Sequence, residues 1–209
     1  MIELNSGNIK IGASDTICSL FLLPILEKFN NKHPDIRISV TNRITQESVE
    51  LLKRAAVDIA YVNLPIESDD SLDIIPVKTI QNCFVVGDKY KTLADKTMSL
   101  SDLNKYPILA LEKASNSRKQ MDIFLMDNGI EIQPAIELGS LSLLSGFAKI
   151  GLGVAATIKE EVQDMLDKHE LFELKFYEKL PKRHIGLVRM KNVNLSFAAK
   201  AFIYEMGNN

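Results

Sequence analysis

The chain has 209 residues, of which 46% are hydrophobic and 25% are charged. This balance is typical of a globular protein of one or two domains with a sizeable core, and it excludes disordered, collagen-like and disulfide-rich chains. There are 25 Lys and Arg residues against 27 Asp and Glu, so the net charge of −2 gives no support to a nucleic-acid-binding surface.

Cysteine usage and apolar runs indicate the compartment. The two cysteines, Cys18 and Cys83, lie in apolar runs, as expected of buried, reduced thiols. The N-terminus lacks the basic segment and apolar stretch of a secretory signal. The longest nearly apolar run, residues 17–26, is too short to cross a membrane. We therefore expect a soluble, cytoplasmic protein with no membrane partner.

The first third of the chain alternates between strand and helix patterns. Ser14 and Thr16 are N-cap candidates for a long first helix, and Pro24 is expected to kink that helix or to end its first turn. The resulting β-α-β-α-β order predicts a parallel sheet with right-handed crossovers. The predicted elements are strands at 9–13, 36–40 and 58–62, a helix that ends before residues 33–35, and a helix at 45–56.

The rest of the chain continues this alternation. Two similar α/β sets joined in mid-chain predict two lobes with a cleft between them. The predicted strands are 74–77, 83–86, 108–111, 135–138, 154–156, 171–174 and 185–190, and the predicted helices are 100–103, 118–128, 141–150, 159–166 and 196–206.

Six short segments in chain order carry a further pattern. They are IKIGASDT at 9–16, LLPILEKF at 22–29, HPDI at 33–36, VDIA at 57–60, LSDL at 100–103 before the strand PIL at 107–109, and GLGVA at 151–155. In this order and spacing, nearly the whole chain resembles the effector-binding domain of LysR-type transcriptional regulators.

The resemblance implies an α/β fold of two Rossmann-like lobes with an interlobe cleft, like that of type 2 periplasmic binding proteins. Lobe I would comprise residues 8–80 plus 183–209, and lobe II residues 81–182. The family's N-terminal winged helix-turn-helix is absent from this sequence. We therefore expect a piece of a longer protein, in which residues 1–7 are a linker or cloning remnant.

Enzymatic and metal chemistry find little support in the sequence. Each of the three histidines has a local explanation: His33 lies at a helix end, His169 in a charged turn, and His184 at a crossover. Neither cysteine has the Cys or His neighbour of a metal site. Gly151 and Gly153 follow a helix instead of opening one, so they end it through a positive φ and do not form a phosphate loop. We expect no catalytic residue, no metal and no cofactor.

Polar residues at helix starts are the first candidate effector-binding residues. In a doubly wound lobe they lie beyond the carboxyl ends of parallel strands, where free N–H groups favour an anion or a carbonyl oxygen. The simpler alternative is that each hydroxyl only caps its own helix. The family resemblance implies that several of them contact effector. The candidates are Ser14, Asp15, Thr16, Ser115, Ser117 and Ser140.

Loop residues of the first lobe complete the candidate site. Asn42 and Asn63 follow strands, and Thr45 is an N-cap candidate that shares the same expected edge. Arg43 either pairs with a ligand carboxylate or is a solvated arginine, which is the simpler alternative. Asp15 would disfavour a polyanion unless it turns outward, so the charge of the ligand stays open.

These features predict the effector-sensing and oligomerisation part of a LysR-type regulator, and not an enzyme. A small effector, polar or carboxylate-bearing, would bias a homodimer, or a tetramer in the full-length protein, whose missing N-terminal domain binds DNA. The alternative is a solute-binding protein of a transporter, which shares the fold. The dimer prediction rests on a wide apolar face of the first helix, formed by Leu20, Phe21, Leu22, Leu23, Ile25 and Leu26.

Overall fold

The computed structural model describes residues 7–207, and these divide into two compact units. Residues 7–78 and 184–207 form one, called here the split unit, and residues 79–183 form the other, the inserted unit. The expected remnant at 1–7 lies outside the described residues except for Gly7, which pairs with Ile36 at the start of a strand.

The strands are β1 Gly7–Ala13, β2 Ile36–Asn42, β3 Ile59–Asn63, β4 Leu72–Val86, β5 Thr97–Met98, β6 Ile108–Leu111, β7 Ile136–Leu138, β8 Val154–Ile158, β9 Phe172–Glu173, β10 Lys175–Phe176 and β11 Lys182–Met190. The α-helices are α1 Asp15–Ile17, α2 Leu23–Lys32, α3 Thr45–Lys53, α4 Asn116–Asp127, α5 Leu141–Lys149, α6 Lys159–Asp167 and α7 Phe197–Gly207. A π-helical stretch spans Cys18–Leu22, and 3-10 helices span Asp88–Leu93 and Leu100–Lys105.

The sheet of the split unit has the strand order β2-β1-β3-β11. Strand β1 is parallel to both β2 and β3, and β11 is antiparallel to β3. The predicted parallel β-α-β-α-β arrangement is therefore confirmed. Its strands carry fully buried residues such as Ile9, Ile11 and Tyr61, because a sheet covered by helices buries its strands on both faces.

The sheet of the inserted unit has the order β4-β8-β6-β7. Strand β6 is parallel to β7 and β8, while β4 is antiparallel to β8. One hydrophobic core includes Phe84, Leu103, Met121 and Leu125, which join strand, 3-10 helix and α4. Both units are mixed α/β, so the predicted fold class is confirmed.

The first helix changes type where Pro24 enters it. The Cys18–Leu22 stretch is π-helical, and Pro24 lies in the first turn of α2. Proline has no N–H and its ring crowds the carbonyl one turn back, so an inserted π stretch accommodates it without ending the helix. The structure thus shows how the kink expected at Pro24 is absorbed.

Among the differences from the sequence prediction, those at β4 and α3 have a clear physical reason. The stretches predicted at 74–77 and 83–86 are one 15-residue strand, β4, which runs through Pro76, an exposed residue. The polar residues between the two stretches interrupt the apolar pattern but leave the backbone extended. Helix α3 ends at Lys53 instead of Ala56, because Ala55 has a φ of 55° and its N–H bonds back to the Leu52 carbonyl at 3.0 Å.

The apolar face of the first helix is only partly exposed. Leu22 and Ile25 are buried in the split unit, whereas Leu23 is 58% exposed. The side chain of Cys18 is half-buried, so the expectation that both thiols are buried is wrong for this residue, which lies in the π-helical stretch. Cys83 in β4 is buried as expected.

Candidate functional site

Predicted site residues of the split unit gather at one edge of its sheet. The parallel strands β2, β1 and β3 end at Asn42, Ala13 and Asn63, and Ser14 follows Ala13 directly. The Arg43 N–H donates to the Ala13 carbonyl at 3.1 Å, which joins the ends of the first two strands. The structure therefore brings Ser14, Asn42 and Asn63 to the same edge.

Ser14 is the only one of the two predicted caps that occupies the N-cap of this helical run. Its Oγ accepts from the Ile17 N–H at 3.5 Å, a long and therefore weak capping bond. Thr16 lies inside α1, and its carbonyl accepts from Ser19 Oγ at 3.1 Å, so its prediction as a cap is wrong. Asp15 is exposed in the first turn, where its charge is favourable beside the helix N-terminus.

Thr45 has a different role from the one expected. The N-cap of α3 is Ile44, and Thr45 Oγ1 accepts from the Asn63 N–H at 3.3 Å. The hydroxyl thus ties the start of α3 to the end of β3, because a buried oxygen needs a hydrogen-bond partner. Arg43 donates from Nη1 to the Asn42 carbonyl at 2.7 Å, and its Nε lies 3.9 Å from Glu47.

In the inserted unit, Ser115 and Ser140 hold the N-cap positions of α4 and α5. Neither makes a side-chain capping hydrogen bond, and Ser140 Oγ instead lies 3.0 Å from Ser142 Oγ. The cap-only interpretation therefore does not account for these two hydroxyls. Both serines follow parallel strands, since Leu111 of β6 is paired with Leu138 of β7 just before them.

The glycines after α5 serve the fold. Gly151 has a φ of +81° and ends the helix, as predicted. At Gly153, a Cβ would lie only 2.2 Å from the Pro107 carbonyl oxygen, so glycine is required for this close approach. Neither glycine opens a helix, which agrees with the exclusion of a phosphate loop.

A small, partly open cavity of about 30 Å³ lies within the inserted unit. One side is apolar and is formed by core residues such as Phe84, Met121 and Leu125. Its enclosed part accommodates only a few water-sized atoms, the size of a carboxylate group, and the cavity is open on one side. The polar lining consists of Asn82, Ser117, Arg118, Asp122, Thr157 and Arg183.

Arg183 is one of three charged residues of this lining, with Arg118 and Asp122. It is 6% exposed, and it donates from Nε to Asn82 Oδ1 at 3.0 Å and from Nη1 to Ser117 Oγ at 2.8 Å. Burial lowers the pKa of the guanidinium to about 10. The negative charge of Glu160 acts to raise this pKa but offsets the effect of burial only in part. Arg183 therefore stays charged at neutral pH, with neutral hydrogen-bond acceptors as its contacts.

Thr157 adds an unusual hydroxyl to the same lining. Its side chain is 3% exposed, and Oγ1 is the buried side-chain oxygen without a hydrogen-bond partner among residues 7–207. Buried polar groups are nearly always satisfied, so an exception needs a physical explanation. Asn82 is also buried, and its amide Nδ2 donates to the Pro181 carbonyl at 3.0 Å.

Of the residues that line the cavity, only Ser117 was predicted from the sequence. Arg183 directly precedes His184 at the predicted crossover, where the sequence suggests no role for it, and Thr157 lies one residue beyond the strand predicted at 154–156. A basic residue at the start of a buried strand was the available signal for Arg183. Asn82 and Arg183 are 101 residues apart in sequence, so local pattern does not join them.

Within residues 7–207, no group of three His, Cys, Asp or Glu side chains is placed to hold a metal ion. Burial raises the pKa of the Cys83 thiol, which disfavours a nucleophilic thiolate. In the same range, no helix combines the length and apolar character of a membrane span.

Comparison with solved structures identifies the fold. The regulatory domain of Synechocystis PCC6803 CcmR in complex with 2-PG superposes with a TM-score of 0.86 at 20% identity, covering 97% of each chain. The effector-binding domain of QuiR in complex with shikimate gives a TM-score of 0.83 at 22% identity, covering 96% of this chain and 95% of that one. These neighbours have the two-lobed, periplasmic-binding-protein-like fold, as predicted.

Sequence comparison identifies the family. A probable RuBisCO transcriptional regulator of Trichormus variabilis is 25% identical over 209 residues, which cover 98% of this chain. The chain spans 62% of the length of that relative. These relatives are regulators and do not support the transporter alternative. The sequence profile of the LysR substrate binding domain matches residues 3–208, and the chain therefore belongs to this family of LysR-type regulatory domains.

Proposed function

We propose that this chain senses a small polar or carboxylate-bearing effector for a longer LysR-type regulator that binds DNA through another domain. The observation that carries the proposal concerns serines at the carboxyl edges of parallel strands whose hydroxyls make weak capping hydrogen bonds or none. Ser115 and Ser140 hold N-cap positions in the inserted unit without capping their helices. In the split unit, Ser14 makes only a long capping bond. Such hydroxyls and nearby N–H groups are suited to bind a small acid or carbonyl compound.

The full set of proposed effector-binding residues is the one predicted from the sequence. The interlobe cleft that would hold the effector remains a prediction. QuiR and CcmR have been solved with shikimate and with 2-PG, and small effectors of this kind are proposed for the present chain. The residues are Ser14, Asp15, Thr16, Asn42, Thr45, Asn63, Ser115, Ser117 and Ser140.

Regulation, assembly and location are parts of the same proposal. We propose a homodimer, or a tetramer in the longer protein, and a cytoplasmic location where a regulator has access to DNA. The 58% exposed Leu23 supports an interface on the first helix. This chain alone has a net charge of −2, so we expect no sequence-selective DNA binding by it at physiological salt.

Calorimetry tests the effector site. A metabolite that raises the melting temperature of the chain is titrated into wild type, Ser14→Ala and Ser140→Ala. A hydrogen bond to a charged ligand group contributes about 1.5–3 kcal/mol, so each variant should bind roughly tenfold or more weakly. Ser19→Ala and Ser101→Ala are matched controls, because these exposed serines bond only to neighbours in their own turns. Unchanged affinity in both test variants would show that the two serines do not contact effector.

A further inference from the structure

The charge of Arg183 is buried without a counterion. Among the ion pairs of residues 7–207, none involves Arg183, and its side-chain hydrogen bonds go to Asn82 and Ser117. Glu160, the carboxylate that influences it from a distance, accepts instead from the Gln81 N–H at 3.1 and 3.3 Å. A buried cation normally has a carboxylate or a bound anion opposite it.

The start of helix α4 adds positive potential beside Arg183. Ser117 belongs to the first turn of the 12-residue helix α4, where the helix dipole is positive. That turn carries no acidic side chain, and Ser115 makes no capping hydrogen bond there. The Arg183–Ser117 bond of 2.8 Å therefore places a guanidinium directly beside a helix N-terminus, an arrangement that favours an anion next to the pair.

The hydroxyl of Thr157 is an independent sign of a ligand. It is buried, it lines the same cavity as Arg183 and Ser117, and it has no hydrogen-bond partner in the described chain. An oxygen of a bound anion would accept a hydrogen bond from this hydroxyl. The hydroxyl and the guanidinium would then both donate hydrogen bonds to the same ligand group.

We propose that Arg183, Thr157 and Ser117 form a subsite for one carboxylate group within the inserted unit. One cation balances one negative charge, so a monocarboxylate fits better than a phosphate dianion. The apolar wall of Phe84, Met121 and Leu125 accepts a short alkyl group behind the carboxylate. The inference rests on the proposed function and deepens it, since it names the group of the effector that this unit recognises.

Butyrate is the probe for the subsite. ¹⁵N NMR titration of the intact chain should show saturable shifts at the backbone amides of Ser117, Thr157 and Arg183, with a Kd in the range of about 1–10 mM expected for so few atoms. At matched ionic strength, butyramide tests the need for charge, and inorganic phosphate tests the preference for a monocarboxylate. Both should bind at least about tenfold more weakly than butyrate. Absence of saturation by butyrate at 50 mM, or equal binding of butyramide or phosphate, would overturn the proposal.

Two variants locate the site. Arg183→Met should weaken butyrate binding by about tenfold or more, and Thr157→Val by about threefold to tenfold. Thr97→Val, at an exposed position of β5, and Arg54→Met, at an exposed arginine, are controls that should bind as wild type does. If Arg183→Met does not fold, the butyrate affinity of Thr157→Val alone tests the subsite, since valine preserves the shape of the threonine side chain. Wild-type affinity in Thr157→Val contradicts the subsite. A metabolite that still depends on Ser14 and Ser140 would leave the proposed function standing in that case.

Discussion

The inserted unit contains two arginines that are equally buried but differently compensated. Arg118 and Arg183 are each 6% exposed, and both line the same cavity. Arg118 donates from Nε to both carboxylate oxygens of Asp122, at 2.8 and 2.9 Å, and from Nη1 to Glu137 at 2.8 Å. Arg183 has Asn82 and Ser117 as acceptors, which are both neutral.

The pKa of each guanidinium follows from these contacts. Burial acts to lower the pKa of Arg118, but hydrogen bonds to Glu137 and Asp122 outweigh it and the pKa is raised. Burial lowers the pKa of Arg183 to about 10. Keeping Arg183 charged in the folded state therefore costs roughly 3 kcal/mol at neutral pH, and this cost is relieved only above pH 10. The charge of Arg118 is therefore stabilised by neighbouring carboxylates, whereas the charge of Arg183 has only neutral acceptors.

Removal of Arg118 should have the largest effect. We expect Arg118→Met to lower the free energy of unfolding by about 3 kcal/mol, because Asp122, Glu137 and the Leu111 carbonyl lose their donor. Urea unfolding followed by circular dichroism measures the change. Arg54→Met, which removes a 77% exposed arginine paired with Glu50, should change stability by less than about 0.5 kcal/mol. Equal effects in the two variants would contradict the assigned role of Arg118.

Removal of Arg183 should have a much smaller effect on the ligand-free protein. Relief of the buried charge gains roughly 3 kcal/mol, and the two lost hydrogen bonds cost about 1 kcal/mol each. We therefore expect Arg183→Met to alter the free energy of unfolding by about 1 kcal/mol or less, in the same urea experiment. A loss above about 2 kcal/mol would mean that the charge is compensated in the free protein, and the contrast with Arg118 would fail.

The sequence predicts those parts of this arrangement that depend on local spacing. Alternating apolar residues predict β1, β2 and β3 and their parallel order. Polar residues after predicted strands of both units place Ser14, Ser115 and Ser140 at helix starts. Arg118 and Asp122 lie at positions i and i+4 of a helix, so their pairing also follows from local geometry.

The rest depends on contacts that sequence spacing does not contain. The site of Arg183 joins β11, β4 and α4 through bonds across 101 and 66 residues. Thr45 and Thr157 look alike in sequence, yet one hydroxyl bonds to Asn63 and the other has no partner in the described chain. Only the folded structure distinguishes a satisfied buried hydroxyl from an unsatisfied one.

These two threonines provide a sharper form of the comparison. We expect Thr157→Val to raise the free energy of unfolding by about 1 kcal/mol in the ligand-free chain, because it removes an unsatisfied buried oxygen without changing shape. Thr45→Val should lower it by about 1 kcal/mol, because the Asn63 N–H then loses its acceptor. Differential scanning calorimetry gives the two signs. A decrease for Thr157→Val would show that its hydroxyl has a partner in the free protein.

The smallest effect on stability is expected at the serines of the helix starts. Here a serine that caps its helix, Ser14, is compared with one that does not, Ser140. Ser14→Ala removes a capping bond of 3.5 Å, which is longer than a strong hydrogen bond, so we expect a loss of about 0.5 kcal/mol, at the low end for an N-cap. Ser140→Ala removes no capping bond and loses only a contact with Ser142. Its effect on urea unfolding should therefore be close to zero. A stability loss above about 1 kcal/mol for Ser140→Ala would assign this hydroxyl to the helix, and its availability to an effector would then no longer follow from the structure.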